Sequence, residues 1–178
     1  QGDITEENPP CIEAIQNQFD KIDILINNAA LLINLPFEKT SLTEWRKIFE
    51  INIFGVVKMT QAFLPWMGKT KVQSHIVNIG SMGGFQGSSK FAGLSAYSSS
   101  KAALANLTEC LAEELKDRNI AVNCLALGAV QTEMLKEAFP EYQAPTSSQE
   151  MAEFIANFST KGHYYQNGKV IPISISTP

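Results

Sequence analysis

The sequence predicts an α/β fold: a single domain, residues 1–178, built on one doubly wound parallel sheet with helices on both faces. Three observations predict it. Short apolar runs of strand length alternate with amphipathic stretches of helical period along the chain. The runs show little polar alternation, as expected of strands covered on both faces. At 178 residues and 44% hydrophobic content, the chain is long enough for one sizeable core and too short for two ordinary ones.

The elements follow in order. After Asn8-Pro9-Pro10, residues Cys11 to Phe19 place apolar side chains at helical spacing, with proline tolerated in the first turn. Ile22 to Ile26 predicts a buried strand that ends in the small-residue turn Asn27-Asn28-Ala29-Ala30. Ser41-Leu42-Thr43-Glu44 matches a capping box and opens a long helix of roughly six turns toward Pro65. Ser74 to Ile79 predicts a second strand, broken by Gly80-Ser81-Met82-Gly83-Gly84. A helix from Tyr97 to Leu115 and a strand from Ile120 to Leu127 come next, the strand stopped by Gly128. Residues 131–148 are irregular, a helix runs from about Glu150 to Phe158, and Asn167-Gly168 leads into a last strand, Lys169 to Ile173.

Composition excludes several functions. A net charge of -4 with scattered Lys and Arg leaves no basic stripe for a phosphate backbone, so no nucleic-acid partner is expected. No apolar run approaches the ~20 residues that span a bilayer, and no signal stretch opens the chain, so a soluble cytoplasmic protein without a membrane partner is expected. Cys11, Cys110 and Cys124 are odd in number, far apart and in apolar surroundings, which predicts reduced core thiols. His75 and His163 are distant in sequence from each other and from any cysteine pair, so no metal site is expected.

In a parallel sheet ligands sit beyond the carboxyl ends of the strands, so the turns after each run carry the information. These turns hold small or hydrogen-bonding residues that let a flat ligand approach the backbone: Asn27 to Ala30, Gly80-Ser81, and Gly128 to Thr132. Tyr97 and Lys101 lie four apart, on one face of a helix. An ammonium ~4 Å from the phenol at an effective dielectric of about 20 stabilises the phenolate by roughly 4 kcal/mol. That is enough to bring Tyr97 toward neutrality, with burial opposing part of the shift. Taken singly, Ser81 suits a turn and Asn52 suits a solvent-facing position within its helix.

The joint order decides between these readings. Asp3-Ile4-Thr5, Asn27-Asn28-Ala29-Ala30, Asn52-Ile53-Phe54-Gly55, Ile79-Gly80-Ser81, Tyr97 to Lys101, and Leu127-Gly128 to Thr132 together resemble the short-chain dehydrogenase/reductase family across essentially the whole chain. The resemblance implies a Rossmann-like fold, NAD or NADP as cofactor, and a small-molecule carbonyl or alcohol substrate. It implies Tyr97 as general acid in reduction and base in oxidation, with Lys101 lowering its pKa and bonding the nicotinamide ribose. It implies Ser81 on the substrate oxygen and Asn52 holding a water that relays protons from Lys101. It also implies Asp3 and Ile4 at the adenine, Asn28 with the backbone of Ala29 and Ala30 at the adenosine ribose, and the Val130 backbone and Thr132 hydroxyl at the carboxamide. Gly80-Ser81 further resembles the oxoacyl-carrier-protein reductases.

Ala30 stands where the family prefers glycine, Leu127 where proline usually precedes Gly128, and the Ser81-to-Tyr97 interval of sixteen is three longer than common. The extra length is expected in Gly87 to Gly93. The family's glycine-rich pyrophosphate turn and its flanking strands do not precede Asp3, so roughly 50 residues are expected to be missing from a sheet that needs its central strands. Without them cofactor binding is expected to be weak. Residues 131–148 are expected to form a lid whose Met134, Leu135, Phe139 and Tyr142 offer an apolar wall. Homodimers or homotetramers are expected through helices near 42–66 and 97–117. The alternative is a catalytically inactive scaffold or binding protein of the same fold, against which Asn52, Ser81, Tyr97 and Lys101 argue jointly.

Overall fold

The computed structural model describes residues 2–6 and 10–175, and of Pro10 and Cys11 the backbone alone. The Asn8-Pro9 lead-in and the Cys11 thiol therefore lie outside the described residues. Strands form at β1 (Ile24–Asn27), β2 (Ser74–Ser81), β3 (Ile120–Leu127), β4 (Val130–Gln131), β5 (Thr146–Ser147) and β6 (Val170–Ile173). Four of them make one sheet in the order β1-β2-β3-β6, every neighbour parallel. The pair β4-β5 is a separate parallel ribbon. Helices are α1 (Pro10–Gln18), α2 (Leu42–Phe49), α3 (Val56–Phe63), α4 (Ser95–Leu115), α5 (Glu133–Ala138) and α6 (Ser148–Lys161).

At β2 and β3 the sheet is covered on both faces, because successive residues alternate between two cores, whereas β1, expected to be buried, leaves Ile24 and Ile26 exposed. Ile76, Ile120 and Val122 pack with Ala112 and Leu115 of α4, whereas Val77, Ile79 and Leu125 meet Ile155 and Phe158 of α6. Pro172 cannot donate to a ladder and is accepted because β6 is a rim strand. The α4 face also carries a buried polar ladder. Asn27 Nδ2 donates to Thr60 Oγ1 and to Asn78 Oδ1, Asn78 Nδ2 donates to Thr108 Oγ1, and Thr108 donates to the Leu104 carbonyl.

Two expectations need correction. The long helix is interrupted: α2 and α3 are joined by a π-helical turn, Glu50–Gly55, in which the Asn52 side chain is drawn inward to bond backbone. Cys110 is exposed on α4 while Cys124 is fully buried, because the helical period carries position 110 to the outer face. The capping box at Ser41 and Glu44 is formed, and a second one, Ser147 with Glu150, starts α6 earlier than expected.

Folding brings the two histidines together, with ring centroids 5.3 Å apart. Among the described residues no group of three or more His, Cys, Asp or Glu side chains gathers around a common point. His75 is fully buried on the α6 face, with Nδ1 against the Ser159 carbonyl at 2.9 Å and Nε2 against Asn123 Nδ2 at 3.0 Å. Burial holds its imidazole down to about 4, below the ordinary 6.5. The unfolded chain therefore takes a proton before the folded one does, so this stability is present above about pH 6.5 and lost as pH falls to about 4. The loss is on the order of 3 kcal/mol. Denaturant titrations between pH 7 and 4 are expected to show it in the wild type and a flatter response in His75→Gln. Parallel curves would remove the assignment.

Candidate active site

Because the four strands run parallel, their carboxyl ends open on one edge, and the connections after β1, β2 and β3 all start there. Ser81 closes β2, in register with Leu127 of β3. A tight 3-10 turn, Met82–Gly84, follows, and the Gly83 amide donates to Ser81 Oγ at 3.1 Å. A Cβ on Gly84 would stand 2.5 Å from the Lys101 carbonyl carbon and the Ala102 nitrogen, so only a bare backbone lets this turn lie directly on α4. The close approach brings the Ser81 hydroxyl beside the Tyr97 side chain.

Tyr97 lies in the first turn of α4, partly exposed, and Lys101 one turn further is 3% exposed. Their electrostatics differ from the expectation. The Lys101 ammonium stands 5.7 Å from the centre of the Tyr97 ring, over its face, and donates to the Ile79 carbonyl at 2.8 Å. Burial raises the Tyr97 pKa, and the neighbouring Ser81 hydroxyl opposes it only in part. The expected lowering by Lys101 is thus not found. Burial also pushes the Lys101 ammonium down to about 8. Its neighbour Cys124 is pushed up to about 11, again by burial, so the group beside the ammonium at neutral pH is a thiol, not a thiolate.

Asn52 is fully buried, against the solvent-facing position that suits it when taken singly. Its Oδ1 accepts from the Leu31 amide at 2.7 Å, and its Nδ2 donates to the Leu31 carbonyl at 3.0 Å and to Ser100 Oγ at 2.9 Å. Both amide hydrogens are therefore used on protein groups, and what the side chain visibly does is clamp the turn after β1 to the helix layer. Ser100 passes the connection on by donating to the Tyr97 carbonyl at 2.7 Å. Neither Ser100 nor Leu31 was singled out from the sequence, since a serine in a serine run and a leucine in a turn give no local signal.

The residues expected around a cofactor fall in three places: directly after β1, beside the π turn, and after β3. Asn28 and Ala29 are exposed and Ala30 half-buried directly after β1. Ile4 packs over Gly55 of the π turn, and Asp3 accepts from the Thr5 amide and hydroxyl, which holds its carboxyl below the usual range. Val130 begins β4, and Thr132 Oγ1 caps α5 by accepting from the Leu135 amide at 3.2 Å. The region expected to be irregular thus contains β4, α5 and β5, with Met134, Leu135 and Phe139 half-buried and Tyr142 exposed.

A family profile described as short chain dehydrogenase matches residues 1–143. The chain belongs to the short-chain dehydrogenase/reductase family. It is 35% identical over 173 residues to the 3-oxoacyl-[acyl-carrier-protein] reductase of Aquifex aeolicus, covering 91% of this chain and 68% of that one. It is 36% identical over 137 residues to the cyclopentanol dehydrogenase of Comamonas testosteroni, covering 76% of this chain and 53% of that protein. Among solved structures, the Pseudomonas aeruginosa RhlG/NADP active-site complex superposes with a TM-score of 0.84 at 26% identity, covering 97% of this chain and 73% of that one. The 3-ketoacyl-(acyl-carrier-protein) reductase of Brucella melitensis complexed with NADH gives 0.84 at 25% identity, covering 97% and 74%. The Rossmann-like parallel sheet is thus the fold of a short-chain dehydrogenase/reductase domain. No described helix is long and apolar enough to cross a membrane.

Proposed function

We propose that this short-chain dehydrogenase/reductase is an NAD(P)-dependent oxidoreductase that exchanges hydride between a nicotinamide and a small carbonyl or secondary alcohol. The observation that carries the reading is the contact of the Ser81 and Tyr97 side chains at the sheet's carboxyl edge, backed by the buried Lys101 ammonium. That set suits a nicotinamide riboside. The ammonium gives one of its three hydrogens to Ile79 and forms no ion pair among the described residues, leaving donors for a vicinal diol. The related structures solved with NADP and with NADH support the same cofactors here.

The chain's own part of the chemistry follows from this placement. Ser81 orients the substrate oxygen by a hydrogen bond, and Tyr97 holds the proton that this oxygen takes up in reduction or gives up in oxidation. Burial keeps the phenol protonated at neutral pH, the form that donates. Lys101 supplies positive charge behind the ring, and its remaining hydrogens orient the ribose. Asn52 fixes the turn after β1, where Asn28, Ala29 and Ala30 border the adenosine side with Asp3 and Ile4, while Val130 and Thr132 border the carboxamide side. A bound nicotinamide supplies or accepts the hydride.

Titration of the whole protein with NADH and NADPH by fluorescence, followed by a panel of ketones with wild type and Tyr97→Phe, tests the reading. The scaffold alternative lacks support, because a chain without turnover has no physical need to bury an uncompensated ammonium behind a phenol and a hydroxyl. The long helices α2–α3 and α4 are proposed as the surfaces of a homodimer or homotetramer, since Phe54, 54% exposed, and the Phe37-Trp45-Phe49 cluster leave apolar area on that layer. Sedimentation at micromolar concentration is expected to show dimers or tetramers. A monomer alone would remove the assembly.

A further inference from the structure

Three loops leave the carboxyl edge of the sheet, and one exposed side chain touches all of them. Asn34 lies in the connection from β1 to α2, and its Nδ2 donates to the carbonyl of Ala138 at 2.8 Å, across 104 positions of sequence. Ala138 is the last residue of α5, so this carbonyl is one that the helix leaves without an internal partner. On its other side Asn34 fills space that Gly93 leaves open. A Cβ on Gly93 would meet Asn34 Oδ1 at 2.1 Å, and Gly93 has a φ of +82°. The adjacent amide, Leu35, donates to the Gly93 carbonyl at 3.0 Å. Tyr97, in the first turn of α4, follows Gly93 by four positions.

α5 has little else to hold it. None of its six residues is fully buried, and its main element contact is with the neighbouring β4. We propose that Asn34 is a positioning residue that latches α5 to the loop bearing Gly93 and so sets the width of the substrate cleft over Tyr97. The cleft function rests on the oxidoreductase reading above, whereas the latch itself rests on the geometry alone. With the bond made, Met134, Leu135 and Phe139 are half-buried at the same edge as Ser81 and Tyr97. With it lost, α5 is tied only through β4 and its flanking chain, and an apolar substrate loses a wall without any change at the reacting hydroxyls.

The test uses Asn34→Asp, which keeps size and shape but replaces the donor by a carboxylate, and Asn34→Ala. One hydrogen bond of ordinary net worth changes the latched population by about 3- to 12-fold. Hydrogen–deuterium exchange of the whole protein is expected to show that much faster uptake in 133–142 for both variants, with β2 and α4 unchanged. Steady-state kinetics is expected to show KM for the ketone raised about 3- to 12-fold with kcat within about 2-fold and cofactor affinity unaltered, a split that mere loss of stability does not produce. Unchanged uptake in 133–142 overturns the proposal, and so does faster uptake that leaves KM where it was. If the wild type turns over no ketone, the oxidoreductase reading fails while the exchange experiment still decides the latch.

Discussion

Tyr97→Phe is expected to lower ketone turnover by about 100-fold or more while cofactor affinity stays nearly that of the wild type, the general range for loss of an acid-base group. The substitution removes one oxygen from a side chain whose ring lies beside the Lys101 ammonium and whose hydroxyl neighbours Ser81. The ring remains, so the Lys101 ammonium keeps its apolar cover and its bond to Ile79, and the helix is untouched. What disappears is the phenol beside Ser81 at the carboxyl edge, and with it the proton destined for the substrate oxygen. Ser81 loses a partner but retains the Gly83 amide, so its hydroxyl still holds its place. Turnover within a few-fold of wild type would mean that the proton comes from elsewhere, and the assignment of Tyr97 would be abandoned.

Lys101→Met is expected to bring a comparable loss of turnover, about 100-fold, together with a signature in pH that Tyr97→Phe lacks. Burial depresses the ammonium to about 8 in the folded chain, against an ordinary 10.5. The folded state therefore gives up this proton before the unfolded state does. Between about pH 8 and 10.5 the unfolded chain binds more protons, so this contribution to stability is full above 10.5 and lost as pH falls through about 8. Its span is roughly 3 kcal/mol. Wild-type stability measured relative to Lys101→Met is accordingly expected to rise through that window. Activity runs the other way: kcat/KM, which follows the charged form in the free enzyme, is expected to fall above about pH 8 in the wild type and to stay low and flat in the variant. A wild-type profile that climbs beyond pH 9 would contradict the role given to the charge.

How much of this was legible beforehand differs by element, for physical reasons. β2 and β3 were readable because strands buried on both faces announce themselves as apolar runs, β6 was readable from the Asn167-Gly168 turn before it, and the Ser41 box announced α2. The Ser147-x-x-Glu150 box carried the same signal for α6, but the proline and serines around it favoured a loop, and the helix was placed two residues late. The π turn was not legible, since it depends on Asn52 finding the Leu31 backbone, a partner 21 positions away. Proximity of Ser81, Tyr97 and Lys101 followed from motif order. The direction of the Tyr97 shift did not, because spacing on a helix fixes the separation of two side chains but says nothing of how much water surrounds them. Asn34 gave no signal at all, as its partners belong to two other loops.

The ladder of Thr60, Asn27, Asn78 and Thr108 has an evolutionary consequence. Each amide in it bonds its neighbour in a buried interior, so replacing Asn78 alone takes a bond from two partners at once, whereas changing the group together can restore the set. Drift at these four positions must then proceed in concerted jumps, while the outlying loops remain free to vary one residue at a time. New specificities in such a protein are therefore acquired at the periphery, around a centre that resists piecemeal revision.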